Sequence, residues 1–121
     1  CYHEALIDCP IETAVLHKAP WSERVAITPN FTLLKIQQSF VDVQLFEIYD
    51  VIFFDAFAPE KQPELWDLSV FQKCFSMLRE GGVLTTYCAK GYVKRNMQEA
   101  GFRVEKVPGP PGKREMLVAF K

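Results

Sequence analysis

The stretch Tyr49-Asp50-Val51-Ile52-Phe53-Phe54-Asp55-Ala56-Phe57-Ala58-Pro59 constrains this chain more than any other. An apolar run of strand formers ends abruptly in a carboxylate, and a loop of aromatic and proline character follows. Buried strands of parallel sheets read as continuous β-branched and aromatic runs rather than alternating ones. Residues 50–54 are therefore expected to form the central strand of such a sheet. Open parallel sheets bind ligands at the carboxyl ends of their strands, and Asp55 stands at that end. A strand-end aspartate can equally do no more than cap its own loop or the next helix. The residues alone leave both readings open.

A chain of 121 residues suits one small domain with a single core. Its composition, 49% apolar and 24% charged, is that of an ordinary globular protein. No apolar run approaches the roughly 20 residues that span a bilayer, so no membrane association is expected. The chain opens on Cys1 with neither an initiator methionine nor a signal-peptide pattern, and it is expected to be a piece of something longer. Cys1, Cys9, Cys74 and Cys88 are scattered without metal spacing. They read as reduced thiols of an intracellular protein. His3 and His17 are too isolated for a metal site. Residues 1–78 carry five basic and eleven acidic groups, residues 79–121 nine basic and four acidic. A basic half can mark a nucleic-acid footprint or merely a solvated surface.

Along the chain, residues 11–18 suggest a short helix, and Trp21 and Val25 are expected to pack on something nearby. Residues 31–37 read as a strand and 39–46 as a possible short helix. After the central strand, Pro63 suits a first helical position, or Asp67 the N-cap of the main helix. Phe71, Cys74, Phe75 and Leu78 share one helical face. Arg79 is expected in the last turn of that helix and Gly81 at its left-handed terminus. A strand over 83–89, a helix over 91–100 stopped by Gly101, and strands over 102–107 and 116–120 complete the order. Strands joined by helices imply a parallel sheet, and the loop-joined closing pair implies an antiparallel finish.

Asp55 could accept a proton, orient an amine or bind a ribose. Phe57 could stack on an unpaired base or simply fill the core. Lys113 and Arg114 belong to the same basic half as Lys90, Lys94 and Arg95 and could engage phosphates. The residues contain no Gly-rich phosphate loop, P-loop or nucleophile elbow, which argues against nucleoside triphosphatases and α/β-hydrolases.

The run Asp55-Ala56-Phe57-Ala58-Pro59-Glu60-Lys61-Gln62-Pro63-Glu64-Leu65-Trp66 resembles the D-[AG]-F-A-P-x-K-[NQ]-P-[ED]-[LM]-W signature of the MnmC-like methyltransferase domain. Arg79-Glu80-Gly81-Gly82-Val83-Leu84-Thr85-Thr86-Tyr87 is similar to its RPGGxLxTY segment. Gly91-Tyr92-Val93-Lys94-Arg95 and Gln98-Glu99-Ala100-Gly101-Phe102 are similar to GFVRRxLQEAGF. Pro108-Gly109 and Gly112-Lys113-Arg114-Glu115-Met116-Leu117 are similar to its closing PGxGxKREML. The matches fall in the family's order and cover most of residues 49–118, whereas residues 1–48 match only loosely.

The resemblance implies an α/β chain: the carboxyl-terminal part of a Rossmann-like class I methyltransferase fold. Its sheet is expected to be mostly parallel with an antiparallel C-terminal strand, and to lack the first two strands of the family's 3-2-1-4-5-7-6 order. The implied cofactor is S-adenosylmethionine, and the implied substrate is the aminomethyl group of the wobble uridine in tRNA, in the cytoplasm. A flavin-dependent oxidase, fused or separate, is implied as the partner that makes the substrate. By resemblance Asp55 is the catalytic carboxylate, while Phe57 and Pro59 shape the wall for the uridine. Lys61, Lys113 and Arg114 hold tRNA phosphates, and Gln38 and Ser39, after a third strand at 31–37, line the adenine. The family's Gly-rich turn and following acidic residue would lie upstream of Cys1, so this stretch by itself is expected to be inactive. Strand 50–54 is expected to be a bare edge that self-associates or is covered by a rearranged third strand. Two other classes stay open: a non-catalytic RNA-binding or assembly module, and, more remotely, a Rossmann-type oxidoreductase.

Overall fold

The computed structural model describes residues 13–112 and 114–121. The expectations for Cys1, His3, Cys9 and Lys113 lie outside the described residues. The chain divides into two compact units, Cys1–Ser39 and Phe40–Lys121.

In the first unit, helix α1 (Thr13–Lys18) precedes a two-stranded antiparallel hairpin of β1 (Arg24–Thr28) and β2 (Phe31–Leu34). The Thr28-Pro29-Asn30 turn joins them, with the Asn30 amide donating to Thr28 Oγ1 at 3.3 Å. This corrects the expectation that residues 31–37 form a strand of the parallel sheet. A two-residue connection can join only antiparallel neighbours, since a parallel pair needs a crossover of a dozen residues or more. Trp21 is half-exposed, and what it packs on is Lys35. The Lys35 ammonium lies 4.9 Å from its ring centre and donates to the His17 carbonyl at 2.9 Å.

The second unit holds the sheet and the core. Its four strands are β3 (Tyr49–Phe53), β4 (Leu78–Thr86), β5 (Arg103–Pro108) and β6 (Glu115–Phe120), in the order β3-β4-β6-β5. The β3–β4 junction is parallel, while β4–β6 and β5–β6 are antiparallel. The sheet is thus mixed rather than mostly parallel. The cause is the short loop after Pro108, which pairs with Glu115 and turns β6 straight back between β4 and β5. The expected antiparallel C-terminal strand is present. Strand β3 is an edge of this sheet, which corrects the reading of a central strand and agrees with the edge that the resemblance implied.

Alternation puts Phe54, Leu84, Leu117, Ala119 and Val104 on one sheet face, in a common core with Phe71 and Cys74 of helix α2 (Leu68–Met77) and Val93 and Met97 of helix α3 (Gly91–Ala100). Val51 and Phe53 face the other way and are exposed. Both proposed helix starts are used. Pro63 opens a short 3-10 turn, Pro63–Trp66, and Asp67 is the N-cap residue of α2. Gly101 ends α3 in the left-handed region, φ 118°, its amide bonded to the Gln98 and Met97 carbonyls.

Two further expectations change. Helix α2 stops at Met77, so Arg79 lies in β4, not in the last helical turn. The Lys121 ammonium takes the helix's terminal carbonyls instead, bonding Phe75 O and Leu78 O at 2.8 Å each. Gly81 does adopt φ 79°, but inside a bulge, where Tyr49 pairs with Leu78 and Val51 with Val83. At the next residue, Gly82, a Cβ would meet the Arg79 carbonyl at 2.8 Å and that of Asp50 at 3.2 Å. Residues 39–46 form turns rather than a helix. The Lys73 ammonium instead ties this segment to α2, donating to the Phe40 and Val43 carbonyls.

Candidate active site

The carboxyl ends of β3 and β4 lie side by side. Phe53 pairs with Thr85, and the Phe54 amide donates to the Thr85 carbonyl at 2.8 Å. Asp55 and Tyr87 each stand two residues past that matched pair, so they leave the sheet at the same level. Among the described residues the Asp55 carboxylate makes no hydrogen bond and no ion pair. It caps neither following helix, whose N-cap residues are Gln62 and Asp67. The reading of Asp55 as a mere cap therefore fails, and an exposed, uncommitted carboxylate remains at the end where such sheets bind ligands.

The loop after Asp55 is held from beneath. Trp66, only 2% exposed, donates its indole N–H to the Phe57 carbonyl at 2.8 Å. The Lys61 and Gln62 amides both bond the Ala58 carbonyl, at 2.8 and 3.0 Å. Asn96 of α3 in turn donates to the Trp66 carbonyl at 3.0 Å. Phe54, Phe71 and Trp66 form a cluster of rings in mutual contact, with the Phe54 ring centre 5.1 Å from that of Trp66 in an edge-on contact. Because its carbonyl is drawn inward, Phe57 turns its side chain out, 72% exposed. The alternative of core packing for Phe57 does not hold. Pro59 is buried in the wall.

Three recesses meet at Asp55. One of about 260 Å³ is lined by Pro59, Glu60, Trp66, Tyr87, Cys88 and Lys90. A second of about 240 Å³ is lined by Phe53, Thr85, Tyr87 and Met116. The third, about 490 Å³, opens beside Phe57 and Gln62. Lys90, at the start of α3, forms an ion pair with Glu60 of the loop, so opposite charges border the first recess.

Of the residues singled out from sequence, Asp55, Phe57 and Pro59 come together. Lys61 and Arg114 are exposed and line none of the three recesses. Gln38 and Ser39 are exposed residues of the first unit. Glu60, Trp66 and Tyr87 were assigned no site role from sequence, Cys88 was read only as a reduced thiol, and Lys90 was named only as part of the basic half. Glu60 and Trp66 lie in the first matched run, 55–66, Tyr87 closes the second, 79–87, and Cys88 and Lys90 follow it. Among the described residues no group of histidine, cysteine and carboxylate side chains could hold a metal ion, and no helix is long and apolar enough to cross a membrane. Cys74 and Cys88 are free thiols, and burial pushes that of Cys74 up to about 12.

A family model described as S-adenosyl-L-methionine-dependent methyltransferase matches residues 10–121. The chain belongs to this family. Within it, the chain is similar to the tRNA 5-methylaminomethyl-2-thiouridine biosynthesis bifunctional protein MnmC of Ralstonia nicotianae, 44% identical over 70 residues. Those residues make up 58% of this chain and 11% of that protein. Among solved structures it is similar to MnmC2 from Aquifex aeolicus, with a TM-score of 0.70 at 26% identity over 89% of this chain and 35% of that one. A methyltransferase from Pyrococcus furiosus shares the fold, with a TM-score of 0.51 at 22% identity over 64% of this chain and 43% of that one. The chain therefore spans a small part of the curated relative and about a third of the MnmC2 chain. The MnmC-like resemblance read from residues 49–118 agrees with the family match and with the likeness to MnmC and MnmC2, and the α/β class agrees with the fold.

Proposed function

We propose that this chain supplies the acceptor side of a methyl transfer from S-adenosylmethionine to the aminomethyl group of the wobble uridine in tRNA. The observation that carries this reading is the uncommitted Asp55 carboxylate, level with the end of the neighbouring strand and bordered by three recesses. An aliphatic amine is mostly protonated at neutral pH and only its neutral form is nucleophilic, so a carboxylate that accepts an N–H and aims the lone pair is useful. Asp55 does this in the proposal. A nitrogen–methyl bond forms as the sulfur–methyl bond breaks. The electron pair leaves on sulfur, and the displaced N–H proton passes to solvent through the exposed carboxylate.

The exposed Phe57 ring offers a flat platform for an unpaired base, with Pro59 behind it. Lys61, Lys113 and Arg114 hold phosphates of the tRNA. When bound, S-adenosylmethionine supplies an electrophilic methyl group on a sulfonium. The fit is partial, since a recess of about 240 Å³ is smaller than the whole cofactor and suits only its methyl-bearing end. Gln38 and Ser39 would line the adenine. The remaining contacts belong to a longer protein, so the segment by itself is inactive, and its β3 edge pairs with a second copy. In the whole protein, a flavin-dependent oxidase, fused or separate, makes the amine, and the work is done in the cytoplasm.

The test is calorimetric titration with S-adenosylhomocysteine, run in parallel with transfer of labelled methyl to tRNA carrying the aminomethyl uridine. The full-length protein is expected to bind and transfer, and the 121-residue chain to do neither. Tight binding by the isolated chain would overturn the partial pocket. RNA binding without transfer by the full-length protein would leave a non-catalytic module as the reading.

A further inference from the structure

The two smaller recesses at Asp55 are neighbours, and their linings overlap in four residues: Phe54, Asp55, Thr86 and Tyr87. Phe54 is 8% exposed and Thr86 4%, so these two form a common floor. Asp55 and Tyr87 are exposed and form whatever stands between the recesses. Lys90 borders only the first recess, and Phe53 and Met116 only the second. Strand register explains the pairing. Thr85 is matched with Phe53, parallel strands lie about 4.8 Å apart, and Asp55 and Tyr87 follow at equal distance along the two chains. Nothing local explains the position of Tyr87, because among the described residues its hydroxyl has no hydrogen-bond partner and its ring is absent from the buried core.

From this geometry we infer that Tyr87 is a reactant-positioning residue: its ring is the partition between the two recesses, and transfer passes between it and Asp55. The inference rests on the proposed methyl transfer. Two reactants must meet along one line, nitrogen to methyl to sulfur, and an error of about 1 Å in that approach can cost about 100-fold in rate. A flat, two-sided ring fixes the depth to which each reactant can enter. Asp55 opposite it sets the direction of the lone pair. The role belongs to the ring, not to the hydroxyl, which takes no part in the proton's path.

The experiment compares Tyr87→Ala, Tyr87→Leu and Tyr87→Phe in the full-length protein, measuring methyl transfer to aminomethyl-uridine tRNA. Tyr87→Ala is expected to lower kcat about 100-fold while the KM of tRNA and of S-adenosylmethionine each change less than about 3-fold. Tyr87→Phe, which restores the flat ring, is expected to recover kcat to within about 3-fold of the unmutated protein. Tyr87→Leu keeps apolar bulk without the plane and is expected to stay at least about 10-fold low; it stands in if the alanine variant fails to fold. Unchanged kcat in Tyr87→Ala, a loss confined to KM, or a Phe variant as impaired as the Ala variant would each overturn the partition. Absence of transfer by the unmutated protein is a different result, since it overturns the functional reading on which the partition rests.

Discussion

Strand β3 carries an aspartate near each end, and the two are used in opposite ways. Asp50, at the amino end, is committed: its carboxylate takes Arg79 Nε at 2.6 Å across the β4 bulge. Everything around it is tied as well. Gly82 leaves no room for a side chain between the Arg79 and Asp50 carbonyls, and Lys121 reaches across to the end of α2. Asp55, at the carboxyl end, has no partner among the described residues, and Phe57 and Tyr87 beside it are exposed. Folding has paired the carboxylate at one end of the strand and left the one at the other end available. That asymmetry is what a binding end looks like.

The comparison breaks most visibly at Asp55. In the full-length protein Asp55→Asn is expected to lower methyl transfer by about 100- to 10,000-fold, as loss of a proton-handling group does, with the thermal midpoint unchanged. Asp50→Asn is the matching control, expected to leave the rate within about 2-fold. Equal losses of rate for the two variants, measured as kcat/KM, would erase the distinction between the ends. At the committed end, Gly82→Ala forces a backbone contact and is expected to destabilise by more than about 1 kcal/mol in a denaturant titration. Phe57→Ala tests the open end by affinity. It is expected to weaken tRNA binding by about 1–3 kcal/mol, the range for one lost base-stacking contact, with folding unaffected. Trp66→Phe removes the hydrogen bond beneath the loop and is expected to cost about 1 kcal/mol in stability. Asp50→Asn is expected to cost the least, under about 1 kcal/mol, because its ion pair is half-exposed and screened.

The thiols sharpen the same contrast. Burial raises the Cys74 pKa to about 12, so the unfolded chain releases this proton at lower pH than the folded one. The contribution to stability is complete below the unfolded value near 9, and is lost as pH rises from about 9 toward 12. Cys88, in the recess at the open end, is expected to react with a thiol reagent at pH 8 while Cys74 stays protected until the protein unfolds.

Much of this was legible because local chemistry and tertiary context agreed. The apolar run before Asp55, the Phe71-Cys74-Phe75 face and the Gly101 stop all form their elements where the pattern placed them. What misled was competition from distant cations. Lys73 holds 39–46 by the Phe40 and Val43 carbonyls in a non-helical path, and Lys121 occupies the helix terminus that suited Arg79. Neither ammonium is near its acceptors in sequence. Residues 31–37 misled for another reason, because a strand pattern does not name its partner, and the nearest one, across a tight turn, won. At the site, Asp55 was found because a carboxylate after an apolar run is conspicuous. Tyr87 was not, since its place depends on the register between two strands 32 positions apart.

The indole beneath the loop has one more consequence. Trp66 is sealed in apolar surroundings, with its N–H fixed to the backbone of the residue that presents Phe57, while Trp21, in the other unit, is half in water. The two should therefore emit at different wavelengths, the blue component coming from Trp66. Because that N–H bonds the Phe57 carbonyl, the Trp66 emission is expected to report a displacement of the Phe57 backbone, as an optical gauge readable without a label.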